Sequence, residues 1–393
     1  MKKIEIIGLG YIGLPTTLFF AKAGYEVVGV DVNTRIIQSL SNGRITFEEP
    51  GLKDIYEEVY QKIKFVSVPE VADMFIITVP TPFLDNKKID ETYIDSAFES
   101  ISAKLQKGNA IVLESTVPPM VTEKLVSKIS NLGFKVGEDI YLAHVPETII
   151  PGNMVREFMT NKRLIGGYNN QSAKVIAEFY APVIEGEIIL TDLRTAEFVK
   201  VIENTYRDVN IALANELMHM ADEMGIDVYE AINIANKHPR VSIHTPGPGV
   251  GGHCISVDPW FLVGLFGEKA NLVHTARKIN DGQPQYMYDK LLKKYGTLDN
   301  KKIGVYGLSY KPNIDDFRES PSFTFIDILK QQNIDYISFD PWADTMVESN
   351  QKNDFNEFLS ESDVLVIYVA HTHLEEVKDQ LVDVDIFEAM KIN

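Results

Sequence analysis

The chain has 393 residues, of which 45% are hydrophobic, and its 38 Lys and Arg against 56 Asp and Glu give a formal net charge of −18. This length predicts two or three domains with substantial cores. The negative charge argues against nucleic acid and anionic membranes as partners, because both repel such a surface. No apolar run reaches the roughly 18 residues that a membrane-spanning helix needs.

The amino terminus superficially resembles a signal peptide, because two lysines precede an apolar stretch that runs to Ala21. Glu5 and the spacing of the glycines favour a strand, a turn and a helix instead. The single cysteine, Cys254, cannot form an intramolecular disulfide. One thiol fits a reducing compartment, so we expect a cytoplasmic protein.

The first segment, residues 1–190, alternates short apolar runs with helical patterns. The runs that read as buried strands are residues 4–7, 26–30, 74–79 and 110–113. This alternation predicts an α/β domain with a parallel, doubly wound sheet of the Rossmann type.

The second segment, residues 191–295, has no strand pattern. Residues 194–224 contain neither Pro nor Gly, and apolar side chains recur at helical spacing. They predict one helix that is longer than most helices of globular proteins. Such a helix bridges two domains, packs against a second copy of the chain, or is a simple core helix; the sequence leaves these three open.

The third segment, residues 296–393, returns to strand patterns at residues 302–307, 335–339 and 364–369. A helical stretch at 322–332 joins the first two. We therefore predict a second, smaller Rossmann-like α/β domain.

The motif that carries most information near the amino terminus is Gly8-x-Gly10-x-x-Gly13, between a predicted strand and a predicted helix. Asp31 ends the next strand, 18 residues after Gly13. Together these features predict a dinucleotide site, with the pyrophosphate at the start of the helix. Asp31 can accept hydrogen bonds from ribose hydroxyls and repels a 2′-phosphate, which favours NAD over NADP, although Arg35 nearby weakens that preference.

Two further loops, residues 79–82 and 114–118, each close an apolar strand. Ligands of such sheets bind at the carboxyl ends of the strands. The remaining predicted contacts to the cofactor are therefore Tyr11 and Ile12 in the glycine motif and Thr81 and Thr116 in these loops.

Cys254 follows a run of glycines that includes Gly247, Gly249 and Gly251, and it precedes Asp258 by four residues. Glycines let a ligand approach the backbone closely. A thiol beside a nicotinamide can capture a carbonyl that the cofactor has just generated, although a lone cysteine is more usually a small buried hydrophobe.

Pro259 predicts the start of a helix at this point, with Asp258 as its N-cap. The neighbouring His253 has no metal-ligand spacing around it, so we predict a positioning or core role for it and no metal site. On the long helix, Lys200 and Asn204 are four residues apart and share one face. An ammonium and an amide there can stabilise an alkoxide, whereas the alternative is an ordinary solvated stripe.

On these motifs the chain resembles, nearly end to end, the UDP-sugar 6-dehydrogenase family, whose members oxidise a nucleotide-sugar alcohol to the acid with two NAD. The resemblance implies two Rossmann-like domains joined by a central helical domain, with boundaries at 1–190, 191–295 and 296–393. It also implies a homodimer. The catalytic residues that it implies are Cys254, Lys200, Asn204, Asp258 and Glu147, the last in the sequence Val145-Pro146-Glu147.

The resemblance further implies that the glycines before Cys254 bind substrate. A local cluster of cations is needed for UDP on a chain of charge −18. The candidates are Arg163, Lys200, Arg240, Lys311 and Arg318. In the family an arginine near position 240 reaches the partner subunit's site. Lys311 and Arg318 match positions that contact the nucleotide end or complete the active site, and we place Arg318 with the cofactor contacts.

Two departures point to one branch of this family. UDP-glucose dehydrogenases usually have a lysine where this chain has Val257, and a second glutamate where it has Pro151. The strings at 238–241 and 253–261 resemble the N-acetylhexosamine branch. This resemblance implies UDP-N-acetyl-D-mannosamine as substrate and a role in surface polysaccharide biosynthesis, with UDP-N-acetylglucosamine and UDP-glucose as alternatives. The chain also stops short of the strand and helix that usually finish the third domain.

The expected chemistry has two oxidations, with the aldehyde held on Cys254 as a thiohemiacetal that becomes a thioester. Water then hydrolyses the thioester, with Glu147 or Asp258 as the base. Two other classes stay open. A β-hydroxyacid dehydrogenase would share the first domain and the Lys-x-x-x-Asn helix, and a non-catalytic NAD-binding protein would need none of the catalytic residues.

Overall fold

The computed structural model describes residues 2–391 apart from 48, 85, 151, 253, 344 and 383. The chain divides into two compact units, Met1–Glu203 and Asn204–Asn393. Within the described ranges, no helix is long and apolar enough to cross a membrane.

The first unit is built on a sheet with eight strands among the described residues. These are β1 (Lys3–Ile7), β2 (Glu26–Val30), β3 (Ile63–Val66), β4 (Met74–Ile77), β5 (Ala110–Leu113), β6 (Tyr141–His144), β7 (Arg163–Gly167) and β8 (Ile188–Asp192). The order is β3-β2-β1-β4-β5-β6-β7-β8. The strands from β3 to β6 are parallel, whereas β7 pairs antiparallel with β6 and parallel with β8.

The helices of this unit cover both faces of the sheet. They are α1 (Gly13–Lys22), α2 (Thr34–Ser41), α3 (Leu52–Val59), α4 (Thr92–Ser102), α5 (Lys124–Asn131), α6 (Met154–Thr160) and α7 (Asn170–Tyr180), with a 3₁₀ turn at Tyr60–Lys62. Ile4 and Ile6 of β1 belong to one apolar cluster with α1, α3 and α7. Ile7 belongs to the opposite cluster with α4 and α5. Burial on both faces is what a parallel sheet requires, and it explains the continuous apolar runs.

The long helix α8 (Leu193–Met224) has 32 residues and contains the division between the two units. The second unit continues with α9 (Val228–Ala235), α10 (Asp258–Phe266), α11 (Asn271–Asp281), α12 (Gln283–Tyr295), α13 (Pro321–Gln331), α14 (Phe355–Glu361) and α15 (His373–Glu376), and with 3₁₀ turns at Gly267–Ala270 and Lys378–Gln380. Its parallel sheet has the order β10-β9-β11-β12, formed by β9 (Ile303–Tyr306), β10 (Tyr336–Phe339), β11 (Val364–Ile367) and β12 (Ile386–Glu388).

The predicted fold class, with two Rossmann-like sheets and a long central helix, is confirmed. Each predicted strand is present, and the helix at 194–224 has the predicted extent. The sequence patterns missed β3, β6, β7, β8 and β12, and they did not indicate that β7 runs antiparallel to β6. The three domain boundaries stay a prediction.

Candidate active site

The glycine motif forms a tight loop between β1 and α1. Gly8 has a φ of +98°, and a Cβ there would lie 2.7 Å from the carbonyl oxygen of Thr78. A Cβ on Gly13 would overlap the carbonyl oxygen of Gly8. A Cβ on Gly10 would meet nothing within 4 Å in the described structure. The loop is thus closed at its two ends and open at Gly10, which suits the close approach of a dinucleotide.

The start of α1 and the end of β2 supply the polar groups of this loop. Ile12 is the N-cap of α1 and its side chain makes no capping bond, so the helix start is suited to an anion. Asp31 Oδ2 accepts from Leu9 N at 2.9 Å, and Oδ1 accepts from Asn33 N at 2.8 Å. Each carboxylate oxygen keeps a further lone pair for a ribose hydroxyl.

The other predicted cofactor residues lie on the same unit. The ring of Tyr11 stacks on Phe47 with centroids 4.1 Å apart. Arg35 is exposed on α2. Thr81 Oγ1 donates to the carbonyl of Thr116 at 2.8 Å, so the loops after β4 and β5 are tied together. The residues present therefore fit an NAD site at the carboxyl ends of these strands.

Glu147 follows β6 and is buried with both oxygens engaged. Oε1 accepts from Thr148 N at 2.7 Å and Ile149 N at 3.1 Å, and Oε2 accepts from Nη1 of Arg163. Arg163, on β7, is only 1% exposed and also donates to the carbonyl of Phe158. From the sequence, Arg163 was expected among the substrate-binding cations. The structure puts its guanidinium in the interior against Glu147, so we withdraw that expectation.

Glu114, which directly follows the apolar run of β5, was not among the residues expected at the site. Its Oε1 lies 3.7 Å from Nη1 of Arg163, and its Oε2 accepts from Oγ1 of Thr16 at 3.0 Å. Burial raises the pKa of the Glu114 carboxyl, and the nearby charge of Glu147 raises it further. A carboxylate that directly follows four apolar residues was the available signal, because such a run predicts burial on both sides.

Lys200 lies on α8 and is 9% exposed, one helical turn before Asn204. His144, at the end of β6, is fully buried, and its pKa falls to about 3 because burial and then the charge of Lys200 disfavour the imidazolium. The ammonium of Lys200 therefore has a neutral imidazole near it.

In the second unit, three of the predicted catalytic residues come together. Nδ2 of Asn204 donates to Oδ2 of Asp258 at 2.6 Å, and both side chains are buried. The backbone N–H of Asp258 donates to the carbonyl of Cys254 at 2.8 Å, and the thiol side chain is half-buried. The prediction that Asp258 is the N-cap is wrong. Val257 is the N-cap and α10 begins at Asp258, whose carboxylate turns to Asn204 instead.

The glycine loop before Cys254 packs closely against the segment 309–321. A Cβ on Gly251 would lie 2.6 Å from Cβ of Tyr310, and a Cβ on Gly249 would lie 3.0 Å from Pro321. The N–H of Gly252 donates to the carbonyl of Arg318 at 3.1 Å. The packing of the loop therefore requires glycine at these positions, whether or not a ligand also approaches the backbone there.

A buried polar network that the sequence did not indicate holds the start of this loop. Gly247 N donates to Oδ1 of Asn215 at 2.9 Å, and Nδ2 of Asn215 donates to Oδ1 of Asn280 at 2.9 Å. Asn280 and Arg277 both donate to Oδ1 of Asp208, at 2.8 and 2.5 Å. The network links α8 and α11 to the loop and restricts its position.

The remaining predicted cations differ in their surroundings. Lys311 is half-buried, Arg240 is exposed, and Arg318 pairs with Asp316 at 2.6 Å. His253 and Pro151 lie outside the described residues. In the part of the chain that is described, no group of three or more His, Cys, Asp and Glu is placed to hold a metal ion.

The glycine loop, Asp31 and the two Rossmann-like sheets define an NAD-binding oxidoreductase. Models of the UDP-glucose/GDP-mannose dehydrogenase family match three parts of the chain: the NAD binding domain at residues 2–184, the central domain at 194–282 and the UDP binding domain at 304–391. The chain belongs to this family and is an NAD-dependent UDP-sugar dehydrogenase.

Individual relatives are similar over nearly the whole chain. The UDP-N-acetyl-D-mannosamine dehydrogenase of Methanococcus maripaludis is 44% identical, over 98% of this chain and 89% of the relative. The NDP-N-acetyl-D-galactosaminuronic acid dehydrogenase of Ralstonia nicotianae is 41% identical, over 96% and 92%. The native structure of the UDP-N-acetyl-mannosamine dehydrogenase Cap5O from Staphylococcus aureus is 42% identical, with a TM-score of 0.90 and coverage of 99% and 94%.

Proposed function

We propose that this chain oxidises carbon 6 of UDP-N-acetyl-D-mannosamine to the carboxylate, through a covalent intermediate on Cys254. The observation that carries the chemistry is the hydrogen bond between the side chains of Asn204 and Asp258. The backbone N–H of Asp258 in turn donates a hydrogen bond to the carbonyl of Cys254. The identity of the sugar is supported by relatives of 41–44% identity that carry this name.

When bound, NAD accepts a hydride from carbon 6 of the sugar in each of the two oxidations. Lys200 and Asn204 hold the oxygen on carbon 6 as it loses its proton, and they stabilise the developing negative charge. The thiolate of Cys254 then adds to the aldehyde carbon, and the aldehyde oxygen takes up a proton.

The resulting thiohemiacetal loses a hydride and its hydroxyl proton, which leaves a thioester. Water attacks the thioester carbon, the C–S bond breaks, and the carboxylate leaves with the thiolate restored. Glu147 and Asp258 are the two candidate bases for that water. Retention of the aldehyde on the thiol should keep the intermediate from leaving the site.

The nucleotide end of the substrate and the cofactor need further cations. We assign Lys311 and Arg318 to these contacts, and the glycine loop at 247–251 to the sugar. The three-domain division at 190 and 295, the cytoplasmic location and the role in surface polysaccharide biosynthesis belong to the same proposal.

A homodimer is also proposed, and an exposed apolar stripe on α8 supports it. Within the second unit, Tyr206, Leu213, Met220 and Met224 are 64%, 45%, 49% and 65% exposed. Their spacing of seven, seven and four residues puts them on one face of the helix. A second copy of the same helix can cover this stripe, and the exposed Arg240 then reaches the partner's site.

The second candidate substrate is an N-acetylgalactosamine nucleotide, which the relative from Ralstonia nicotianae favours. A coupled assay of NADH formation across UDP-N-acetylmannosamine, UDP-N-acetylgalactosamine, UDP-N-acetylglucosamine and UDP-glucose separates the candidates. We expect the highest kcat/KM with UDP-N-acetylmannosamine. Activity with UDP-glucose alone would contradict the proposal.

A further inference from the structure

A cluster of buried polar side chains lies behind Glu147 in the first unit. We call it the Glu114 cluster, and its members are Thr16, Glu114, Glu147, Arg163 and Tyr180. The most exposed of them, Glu147, is only 5% exposed. Arg163 lies between the two carboxylates, bonded to Glu147 and 3.7 Å from Glu114.

The two carboxylates are not equivalent. Glu147 accepts two backbone N–H groups as well as the guanidinium. Glu114 accepts only the hydroxyl of Thr16 on one oxygen, and within the described residues its other oxygen has no hydrogen-bond partner. Hydrogen bonds to the charged form of a carboxyl group stabilise that form, so the geometry favours a proton on Glu114, which has fewer such bonds.

Charge balance leads to the same assignment. Two ionised carboxylates with one guanidinium would leave a net negative charge in the interior, which is costly. The groups that face Glu114 are Thr16 from α1, Glu147 from the loop after β6, Arg163 from β7 and Tyr180 from α7. Burial raises the pKa of the Tyr180 hydroxyl well above its usual value, so Tyr180 contributes no charge.

We propose that Arg163 and Glu114 are positioning residues that fix the orientation of Glu147 for hydrolysis of the thioester. While Glu114 carries a proton, the guanidinium of Arg163 is committed to Glu147 and holds its carboxylate in place. When Glu114 loses that proton at alkaline pH, the two carboxylates compete for one guanidinium and Glu147 loses its fixed position. This inference rests on the proposed function, and it assigns the water to Glu147, one of the two candidate bases named there.

The first test removes the guanidinium. Arg163→Met is expected to slow kcat with UDP-N-acetylmannosamine about 100-fold, the lower range for loss of a general base. Because both oxidations precede hydrolysis, a single turnover should still release two NADH per site. The thioester on Cys254 should then accumulate and be detected by intact-protein mass spectrometry, and Arg163→Lys should restore part of the hydrolysis rate.

A second variant tests the role of Glu114 directly, and it can be used if Arg163→Met does not fold. Glu114→Gln imitates the protonated carboxyl and cannot ionise. We expect kcat of the wild type to decline at alkaline pH, and we expect this decline to move to higher pH by at least about one unit in Glu114→Gln, since a neutral amide cannot compete for Arg163. An unchanged alkaline decline would overturn the assignment of Glu114.

The NADH yield of the wild type separates failure of the proposed function from failure of the role assigned to the Glu114 cluster. One NADH per substrate with the wild type would refute the proposed function itself. Two NADH with the wild type, but wild-type hydrolysis and no adduct in folded Arg163→Met, would overturn only the role of the Glu114 cluster.

Discussion

Two alanine substitutions in the glycine loop separate its folding role from its role in cofactor binding. In Gly13→Ala the new Cβ overlaps the carbonyl oxygen of Gly8 and the hydroxyl of Thr78. Overpacking of this kind costs about 1–3 kcal/mol, because backbone atoms must move. In Gly10→Ala the Cβ meets no described atom within 4 Å, and the φ of Gly10 is not positive. The free energy of unfolding should then change by less than about 0.5 kcal/mol.

Gly10→Ala, which should leave the stability unchanged, should instead weaken the binding of NAD. The Cβ at position 10 points into the open part of the loop, where a dinucleotide backbone approaches, so Gly10→Ala should weaken NAD at least about tenfold, equivalent to about 1.4 kcal/mol. Thermal unfolding without ligand and titration calorimetry with NAD measure the two effects separately. An apo Gly10→Ala protein with wild-type stability and wild-type NAD affinity would refute our placement of the pyrophosphate. A Gly13→Ala protein as stable as the wild type would refute the packing argument.

Three further predictions concern other parts of the chain. Burial raises the pKa of Glu5 to about 7 from its usual 4.5, so the folded state binds the proton more tightly than the unfolded chain. The carboxyl therefore costs stability progressively as pH rises from 4.5 to 7, and Glu5→Gln should raise the free energy of unfolding above pH 7 by up to about 3 kcal/mol and not below pH 4.5. Equal gains in denaturant titrations at both pH values would contradict this. Asn215→Ala removes the acceptor of Gly247 N, and the loss of this hydrogen bond should lower the free energy of unfolding by about 1–3 kcal/mol. The KM for the UDP-sugar should rise, whereas the affinity for NAD should not change. An unchanged KM would show that the network does not position the loop. Leu213→Glu places a charge on the apolar stripe of α8 and should yield monomers in sedimentation, whereas an intact oligomer would place the interface elsewhere.

Much of the fold follows from the sequence because its signals are local. The apolar runs of β4 and β5 are continuous, and that of β1 is interrupted only by Glu5, since both faces of the sheet are covered. No Gly or Pro interrupts α8. The strands that were missed have less uniform patterns. In β3, Lys64 is exposed and Phe65 is only half-buried, and β12 has only three residues.

The positions of the charged residues were less predictable, because burial depends on contacts distant in sequence. From the sequence alone, Arg163 is indistinguishable from a surface cation. Only the pairing of β7 with β6 brings its guanidinium into contact with Glu147. Asp258 reads as an N-cap from Pro259 alone, but Asn204, 54 residues earlier, provides a stronger partner. The roles assigned to Cys254, Lys200 and Glu147 depend on chemistry that the fold permits, and they stay predictions until they are measured.

The central claim is that one active site performs two oxidations and holds the aldehyde on Cys254 between them. The most direct measurement is the amount of NADH formed per UDP-N-acetylmannosamine consumed, followed together with trapping of aldehyde by hydroxylamine in solution. We predict two NADH per uronate and no trapped aldehyde in the wild type, with uronate formation lost in Cys254→Ser. One NADH per substrate with aldehyde in solution, or normal uronate formation by Cys254→Ser, would contradict it.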